Sequence, residues 1–249
     1  MRARYYYWVL FALTLAACDN NNPRLFDDNT ESKTPNFLDL TEDTSTHQKN
    51  NEVKEVVTEK SLTLPQKLLR SSVTIMVSDN THEIIGLGSG VFIEPNIIAT
   101  NQHVIEKGNS FRIKLNEDEI EYTAKVVAID EKNDVALLKT EKDFSDYALQ
   151  MRIEMPVVGT HILVAGSPEG LEGTISEGII SSIRRTSDKD LLQISAPISP
   201  GSSGGPIVND NGELIGISVA TFNTKRAQNL NFGVPAKYIQ RLRTNFVGQ

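Results

Sequence analysis

Short apolar runs follow one another along the chain from about residue 71. Turn-forming residues separate them, and in several runs apolar and polar positions alternate, as on a half-buried strand. Asp210-Asn211-Gly212, between two runs, is typical of a β-hairpin turn. The runs are SVTIMV, GVFI, IIAT, FRIKL, YTAKVVAI, VALLKT, HILVAG, TISEGIISSI, LLQIS, GPIV, LIGISVA and LNFGV. Because no long amphipathic helix separates them, the pattern argues against a parallel α/β sheet and predicts an all-β fold of antiparallel barrels or a sandwich.

The pattern changes at the C-terminal end of the chain. Pro235 suits the first turn of a helix, and Ile239, Leu242 and Phe246 fall on one helical face. The sequence therefore predicts a short C-terminal helix that packs against the β-structure.

The N-terminal end has the pattern of an export signal. Arg2 and Arg4 precede an apolar run at residues 5–17, which ends in small residues. This run has 13 residues, whereas a transmembrane helix needs about 20. We therefore interpret residues 1–17 as a secretory signal peptide.

Cys18 is the single cysteine of the chain, so it has no partner for an intrachain disulfide. The segment Leu15-Ala16-Ala17-Cys18 resembles the lipobox of bacterial lipoproteins, which implies that Cys18 carries lipid after cleavage and anchors the protein to a membrane. Asp19 resembles the signal that retains some lipoproteins in the inner membrane.

Residues 18–64 are rich in asparagine and acidic side chains, and their apolar residues have no period. Such a segment cannot bury enough apolar surface to offset its ordering entropy, so we predict a flexible tether. The folded part is then residues 65–249. The formal net charge of −7 gives no electrostatic support for binding a nucleic-acid backbone.

Candidate chemistry is concentrated in the segment PGSSGGP at residues 200–206. It contains G-x-S-x-G around Ser203, which is also the nucleophile elbow of α/β-hydrolases. In those enzymes the catalytic histidine follows the serine, but all four histidines here precede it. They are His47, His82, His103 and His161. The elbow interpretation fails, and the order histidine, aspartate, serine remains open.

His47 lies in the predicted tether, which leaves His82, His103 and His161 as candidates for a general base. His103 directly follows the predicted strand IIAT, where a side chain can project into a cleft. Asp134 immediately precedes the strand VALLK, and we prefer it to Asp130 because a carboxylate beside a rigid strand is better fixed than one in a loop.

Several segments together resemble the HtrA/Deg family of chymotrypsin-fold serine proteases. They are GSGVFI, TNQHV, NDVALLK, AGSPEGLEGTISEGIISSI, PGSSGGPIVNDNGELIGI and NFGVP, in the family's usual order, and the resemblance covers about residues 65–246. It implies two antiparallel six-stranded β-barrels, at about residues 65–150 and 151–249, with the active site in the cleft between them.

The resemblance implies a role for each matching residue. His103 would be the general base, Asp134 its orienting carboxylate and Ser203 the nucleophile, with no metal or other cofactor required. The oxyanion hole would be built by residues 201–203, with the amides of Gly201 and Ser203 facing the oxyanion. The family commonly has Asn or Asp where this chain has Ser202, which is a departure beside that site.

In this fold the primary specificity pocket would be walled by Pro197, Ile198, Val219 and Ala220. None of these is acidic, so we expect an aliphatic substrate side chain rather than Lys or Arg. The strand Ser218, Val219, Ala220 would pair with the substrate backbone as an added strand.

The sequence thus predicts a membrane-tethered periplasmic endopeptidase that acts on misfolded or specific envelope proteins. One alternative is a non-proteolytic chaperone or binding protein that keeps the fold. Another is a protease whose oxyanion loop is disordered until a partner binds. Family members typically continue with PDZ domains and often form trimers. We expect this chain to lack a PDZ domain, and its regulation would then lie in the protease loops, in oligomerisation as a homotrimer or in a separate partner.

Overall fold

The computed structural model describes residues 62–116, 119–167, 170–219 and 230–247. The predicted signal peptide, the lipidation site Cys18, nearly all of the predicted tether and Ala220 lie outside these ranges. Within them, no helix has both the length and the apolar character needed to cross a membrane.

Six antiparallel strands close into a first barrel in the order β1-β2-β3-β6-β5-β4. These strands are β1 (Ser72–Ser78), β2 (Ile84–Glu94), β3 (Ile97–Thr100), β4 (Ser110–Leu115), β5 (Glu121–Asp130) and β6 (Val135–Thr140).

Six further strands close into a second barrel in the order β10-β11-β12-β9-β8-β7. They are β7 (His161–Gly166), β8 (Thr174–Arg185), β9 (Asp190–Ile194), β10 (Pro206–Val208), β11 (Leu214–Val219) and β12 (Asn231–Pro235). The predicted class, two antiparallel six-stranded barrels, is confirmed.

Alternation along the strands explains how the barrels bury their interiors. In β4, Phe111, Ile113 and Leu115 are buried, and the polar residues between them are partly exposed. Side chains of successive strand residues point to opposite faces, so every second residue enters the core. Phe92, Ile98 and other buried residues complete the core of the first barrel, and Ile162, Ile194 and Ile207 belong to that of the second.

Among the described residues, three helices accompany the barrels: α1 (Leu64–Ser71), α2 (Gln102–Ile105) and α3 (Ala236–Val247). A 3₁₀ turn spans Ser145–Tyr147. The predicted C-terminal helix is confirmed as α3, although Pro235 ends β12 and the helix begins one residue later. Ile239 and Leu242 are buried, and Phe246 is half-buried against the same core.

Helix α1 was not predicted from the sequence. The side-chain oxygen of Gln66 accepts a hydrogen bond from the backbone N–H of Thr63 at 2.9 Å, which caps the first turn. Leu68 is completely buried, so this helix joins the folded part of the chain immediately before β1.

Candidate active site

The imidazole of His103 and the carboxylate of Asp134 are in direct contact. His103 lies on α2, directly after β3, and its Nδ1 atom is 2.9 Å from Oδ2 and 3.0 Å from Oδ1 of Asp134. The backbone N–H of His103 also donates to Oδ1, at 3.0 Å. Because an ionised carboxylate only accepts hydrogen bonds, Nδ1 is the donor in this contact, and in the neutral imidazole Nε2 is then an acceptor.

Asp134 occupies an unusual backbone conformation. It is the last residue of the turn between β5 and β6, with a φ of 58°, in the left-handed region. Few residues other than glycine adopt this region, and aspartate is one of the more tolerant. The side-chain amide of Asn101 donates to the Asp134 carbonyl oxygen at 3.0 Å, which helps to hold the turn beside α2.

The alternative carboxylate, Asp130, has other partners. It ends β5, and its oxygens accept hydrogen bonds from the backbone and side chain of Asn133 at 3.1 and 2.7 Å. Arg241 of α3 also donates to it, at 2.9 Å. The structure therefore brings Asp134, and not Asp130, to His103.

Ser203 lies in the loop before β10 and is 5% exposed. Together with His103 and Gly201 it lines a pocket of about 450 Å³, whose other walls include the apolar side chains of Leu87 and Val104. His103 therefore shares this pocket with Ser203 and is in contact with Asp134.

The loop that carries Ser203 depends on glycine at two positions. Gly201 and Gly204 have φ values of 95° and 87°, in the region that favours glycine. A Cβ on Gly204 would lie 2.1 Å from the carbonyl oxygen of Ser89. The amide of Ser202 donates to the carbonyl oxygen of Ser199 at 2.9 Å, so in this conformation it is directed into its own loop.

The sequence profile of the trypsin-like peptidase domain matches residues 88–217. The chain belongs to the trypsin-like peptidase family.

Individual relatives agree with this assignment. A probable periplasmic serine endoprotease DegP-like of Halomonas elongata is 38% identical over 162 residues, 63% of this chain and 34% of the relative. A protein of the same description from Rhizobium meliloti is 37% identical over 156 residues, 60% of this chain and 31% of the relative. The magnetosome formation protease MamE of Magnetospirillum gryphiswaldense is 34% identical over 179 residues, 68% of this chain and 23% of the relative. The chain spans about a third or less of the length of these relatives.

Within this trypsin-like peptidase domain, Ser89 contacts the Ser203 loop, and sequence reasoning missed it. It lies on β2, is completely buried, and its hydroxyl donates to the carbonyl oxygen of Gly201 at 2.7 Å. The hydroxyl oxygen of Ser89 also accepts a hydrogen bond from the backbone N–H of Ser167 at 3.0 Å. The backbone N–H of Ser89 donates to the Ser203 carbonyl oxygen at 2.8 Å. The sequence signal that could have identified Ser89 was its position as the single polar residue, between two glycines, of the run GSGVFI.

Ser218 also contacts the loop. Its hydroxyl donates to the carbonyl oxygen of Ser202 at 2.6 Å. Its backbone N–H donates to the carbonyl oxygen of Gly205, and its own carbonyl oxygen accepts from the backbone N–H of Gly204, both at 2.8 Å. These bonds hold the loop against β11, so Ser218 has a structural role in addition to the predicted substrate contact.

The predicted specificity residues are only partly described. Ile198 is half-buried, packs on the core of the second barrel and, with Pro197 and Ser202, lines a smaller pocket of about 160 Å³. Val219 is half-buried at the end of β11, and Ala220 lies outside the described residues.

The two other described histidines have different surroundings. His82 lies between β1 and β2 with a φ of 64°. His161 begins β7, and its Nδ1 atom is 2.6 Å from the Asp210 carboxylate. Neither of them lines the pocket with Ser203.

Proposed function

We propose that this chain is a serine endopeptidase in which His103, Asp134 and Ser203 form the catalytic triad. The observation that carries the proposal is the contact between His103 and Asp134, in which Nδ1 lies 2.9 Å from Oδ2. The same histidine lines a pocket together with Ser203. Both barrels contribute to this groove, since His103 and Asp134 come from the first and Ser203 from the second.

The first half of the reaction forms an acyl-enzyme. Nε2 of His103 takes the hydroxyl proton as Oγ of Ser203 attacks the carbonyl carbon of the substrate. The peptide C–N bond then breaks, and the leaving amine takes that proton from Nε2. Asp134 keeps the other imidazole proton on Nδ1 and stabilises the imidazolium that forms between the two steps.

The second half releases the acyl group. Water attacks the ester carbonyl while Nε2 takes a proton from it, and Ser203 leaves with that proton restored to its oxygen. Because the side chains supply the nucleophile and the base, we propose that no cofactor takes part.

Backbone amides would stabilise the negative oxygen of the tetrahedral intermediate. We assign this role to the amides of Gly201 and Ser203, since the Ser202 amide is already directed to Ser199. One such donor is typically worth about 3 kcal/mol in the transition state. Ser89 supports the arrangement because it holds the carbonyl oxygens of both Gly201 and Ser203.

We further propose that the enzyme is of the HtrA/Deg type and acts on polypeptides of the cell envelope. The support is that two of the three relatives named above are described as probable periplasmic serine endoproteases. The basic and apolar residues before Cys18 support export and lipid anchoring. A lipid on Cys18 can be tested by mass spectrometry of the exported protein and of a Cys18→Ser variant.

The central experiment uses the full chain and a fluorophosphonate probe, together with cleavage of casein. We expect the probe to label Ser203, and Ser203→Ala to abolish both labelling and cleavage. The adjacent Ser202→Ala is the matched control and should still be labelled. A chaperone that only retains the fold would keep its holdase activity in Ser203→Ala, and absence of labelling in the parent under every activating condition would refute the proposal.

A further inference from the structure

Two arginines of α3 reach from the C-terminal helix to the first barrel. Arg241 donates through Nη2 to Oδ2 of Asp130 at 2.9 Å, and Arg243 donates through Nε to Oε1 of Glu94. Asp130 ends β5 and Glu94 ends β2. The two contacts are alike in chemistry, but only Asp130 adjoins the turn that carries Asp134.

Asp130, at the end of β5, is hydrogen-bonded to Asn133 of this turn. One carboxylate oxygen accepts the backbone N–H of Asn133 at 3.1 Å, and the other accepts the Asn133 side-chain amide at 2.7 Å. Asn133 is 1% exposed, so its polar groups depend on these partners. The orientation of the Asp130 carboxylate therefore sets the orientation of the residue directly before Asp134.

Asp134 itself needs such support. Its left-handed φ of 58° is unfavourable for a residue with a Cβ, and such conformations persist where neighbours hold them. Asn101 holds its carbonyl oxygen on one side, and Asn133 precedes it on the other. A small rotation in this turn would move the carboxylate away from His103 Nδ1.

We propose that Arg241 and Asp130 are positioning residues that keep the turn of Asp134 aligned with His103, so that the C-terminal helix controls the geometry of the catalytic pair. This inference rests on the proposed function, because it assigns the pair a role in proteolysis.

The position of Arg241 is itself tied to the second barrel. Its guanidinium carbon lies 5.3 Å from the centroid of the Tyr238 ring. The Tyr238 hydroxyl in turn accepts a hydrogen bond from the backbone N–H of Asp190, in β9, at 2.9 Å.

Asp130 is held in its ionised form by its hydrogen-bond donors. Burial alone would raise the pKa of Asp130, but the hydrogen bonds from Arg241 and Asn133 outweigh this effect and the pKa is lowered. The carboxylate is thus ionised at neutral pH and available to Arg241.

The decisive experiment compares Arg241→Met with Arg243→Met in the full chain. Both changes remove one cation of α3 and one contact to the first barrel, and the side chains are 54% and 36% exposed. We expect kcat for a peptide substrate to fall about tenfold in Arg241→Met with KM nearly unchanged, because misalignment affects the chemical step more than binding. Arg243→Met should retain the parent kcat, and Arg241→Lys should recover part of it.

A second readout does not depend on turnover. The proton on Nδ1 of His103 can be observed by NMR in protein with labelled histidine, and its resonance reports the contact with Asp134. We expect it to shift or broaden in Arg241→Met and in Asp130→Asn, and to be unchanged in Arg243→Met. If the parent is never labelled by fluorophosphonate, the proposed function fails, while this resonance still tests the alignment.

Equal loss of kcat in the two arginine variants would overturn the inference, because it would show only that α3 must be docked. An unchanged kcat and an unchanged resonance in Arg241→Met would overturn it as well. If Arg241→Met does not fold, the same comparison is made with Arg241→Lys, which keeps the charge but not the planar donor group.

Discussion

The hydroxyl of Ser89 donates a hydrogen bond to the carbonyl oxygen of Gly201, 2.7 Å away. This bond joins a strand of the first barrel to the loop of the second barrel that carries Ser203. The same hydroxyl accepts the backbone N–H of Ser167, and it is completely buried. One small side chain therefore satisfies two backbone groups at the place where the barrels meet.

Replacing Ser89 with alanine is expected to weaken both stability and catalysis. The carbonyl of Gly201 and the N–H of Ser167 would lose their partner, at a cost of about 2 kcal/mol in the free energy of unfolding. The Gly201 peptide would also be less fixed, so we expect kcat to fall at least about tenfold. Urea unfolding and peptide hydrolysis measure the two effects.

Thr74→Val is the control for Ser89→Ala. Thr74 Oγ1 lies 2.5 Å from Oγ of Ser167 and belongs to the same buried group of hydroxyls, but its hydrogen bond is to Ser167 and not to the Ser203 loop. We expect this variant to lose stability with little change in kcat. A parallel loss of kcat would show that the effect of Ser89→Ala is general destabilisation.

Asp134→Asn is expected to reduce kcat/KM by about 10⁴ without unfolding the protein, by analogy with the triad aspartate of other serine proteases. The amide nitrogen of asparagine would donate to Nδ1 and so move the imidazole proton to Nε2, which then cannot accept the proton of Ser203. Steady-state hydrolysis gives the ratio, and thermal unfolding checks the fold. Activity within tenfold of the parent would contradict the role of Asp134.

Gly204→Ala is expected to destabilise the protein by about 3 kcal/mol or more. Its φ of 87° disfavours a Cβ, and the added atom would lie 2.1 Å from the Ser89 carbonyl oxygen and 2.3 Å from Thr100 Oγ1. Gly159→Ala is the matched control, since its φ is 91° but nothing lies within 4 Å of the added Cβ. That variant should cost about 1 kcal/mol. Equal losses in chemical denaturation would show that backbone conformation alone explains both.

The ion pair of Asp130 should appear in the acid dependence of stability. The pKa of Asp130 is lowered in the folded protein despite its burial, because Arg241 and Asn133 donate to it. Its stabilisation is therefore fully present above the unfolded pKa of about 3.9 and is lost as the pH falls through the folded value.

Asp130→Asn is thus expected to reduce the free energy of unfolding at pH 7 and to make its decline below about pH 4 less steep. Arg241→Met should act in the same direction but less, because Asn133 still donates to the carboxylate. Urea denaturation between pH 7 and pH 2 measures both. An acid decline identical to that of the parent would contradict the assignment.

The sequence pattern predicted much of the fold and candidate site because the relevant signals are local. Alternation in runs such as FRIKL places every second side chain inside a barrel, and this depends only on the two-residue period of a strand. The chain order of His103, Asp134 and Ser203, together with the glycines around the serine, indicated a serine protease of the chymotrypsin type. Helix α1 escaped prediction, since it has only eight residues and lies at the edge of a polar segment.

By itself, the sequence determined that the folded part is all-β, that its C-terminal end is helical, and which histidine, aspartate and serine to compare. The sequence already favoured Asp134 over Asp130, and the structure shows the contact of Asp134 with His103. Tertiary structure alone decided that Ser89 holds the Ser203 loop and that Arg241 reaches the turn before Asp134. Periodicity and turn residues act between near neighbours in the chain. These contacts join residues 31, 112 and 111 positions apart, so they exist only when the chain has folded.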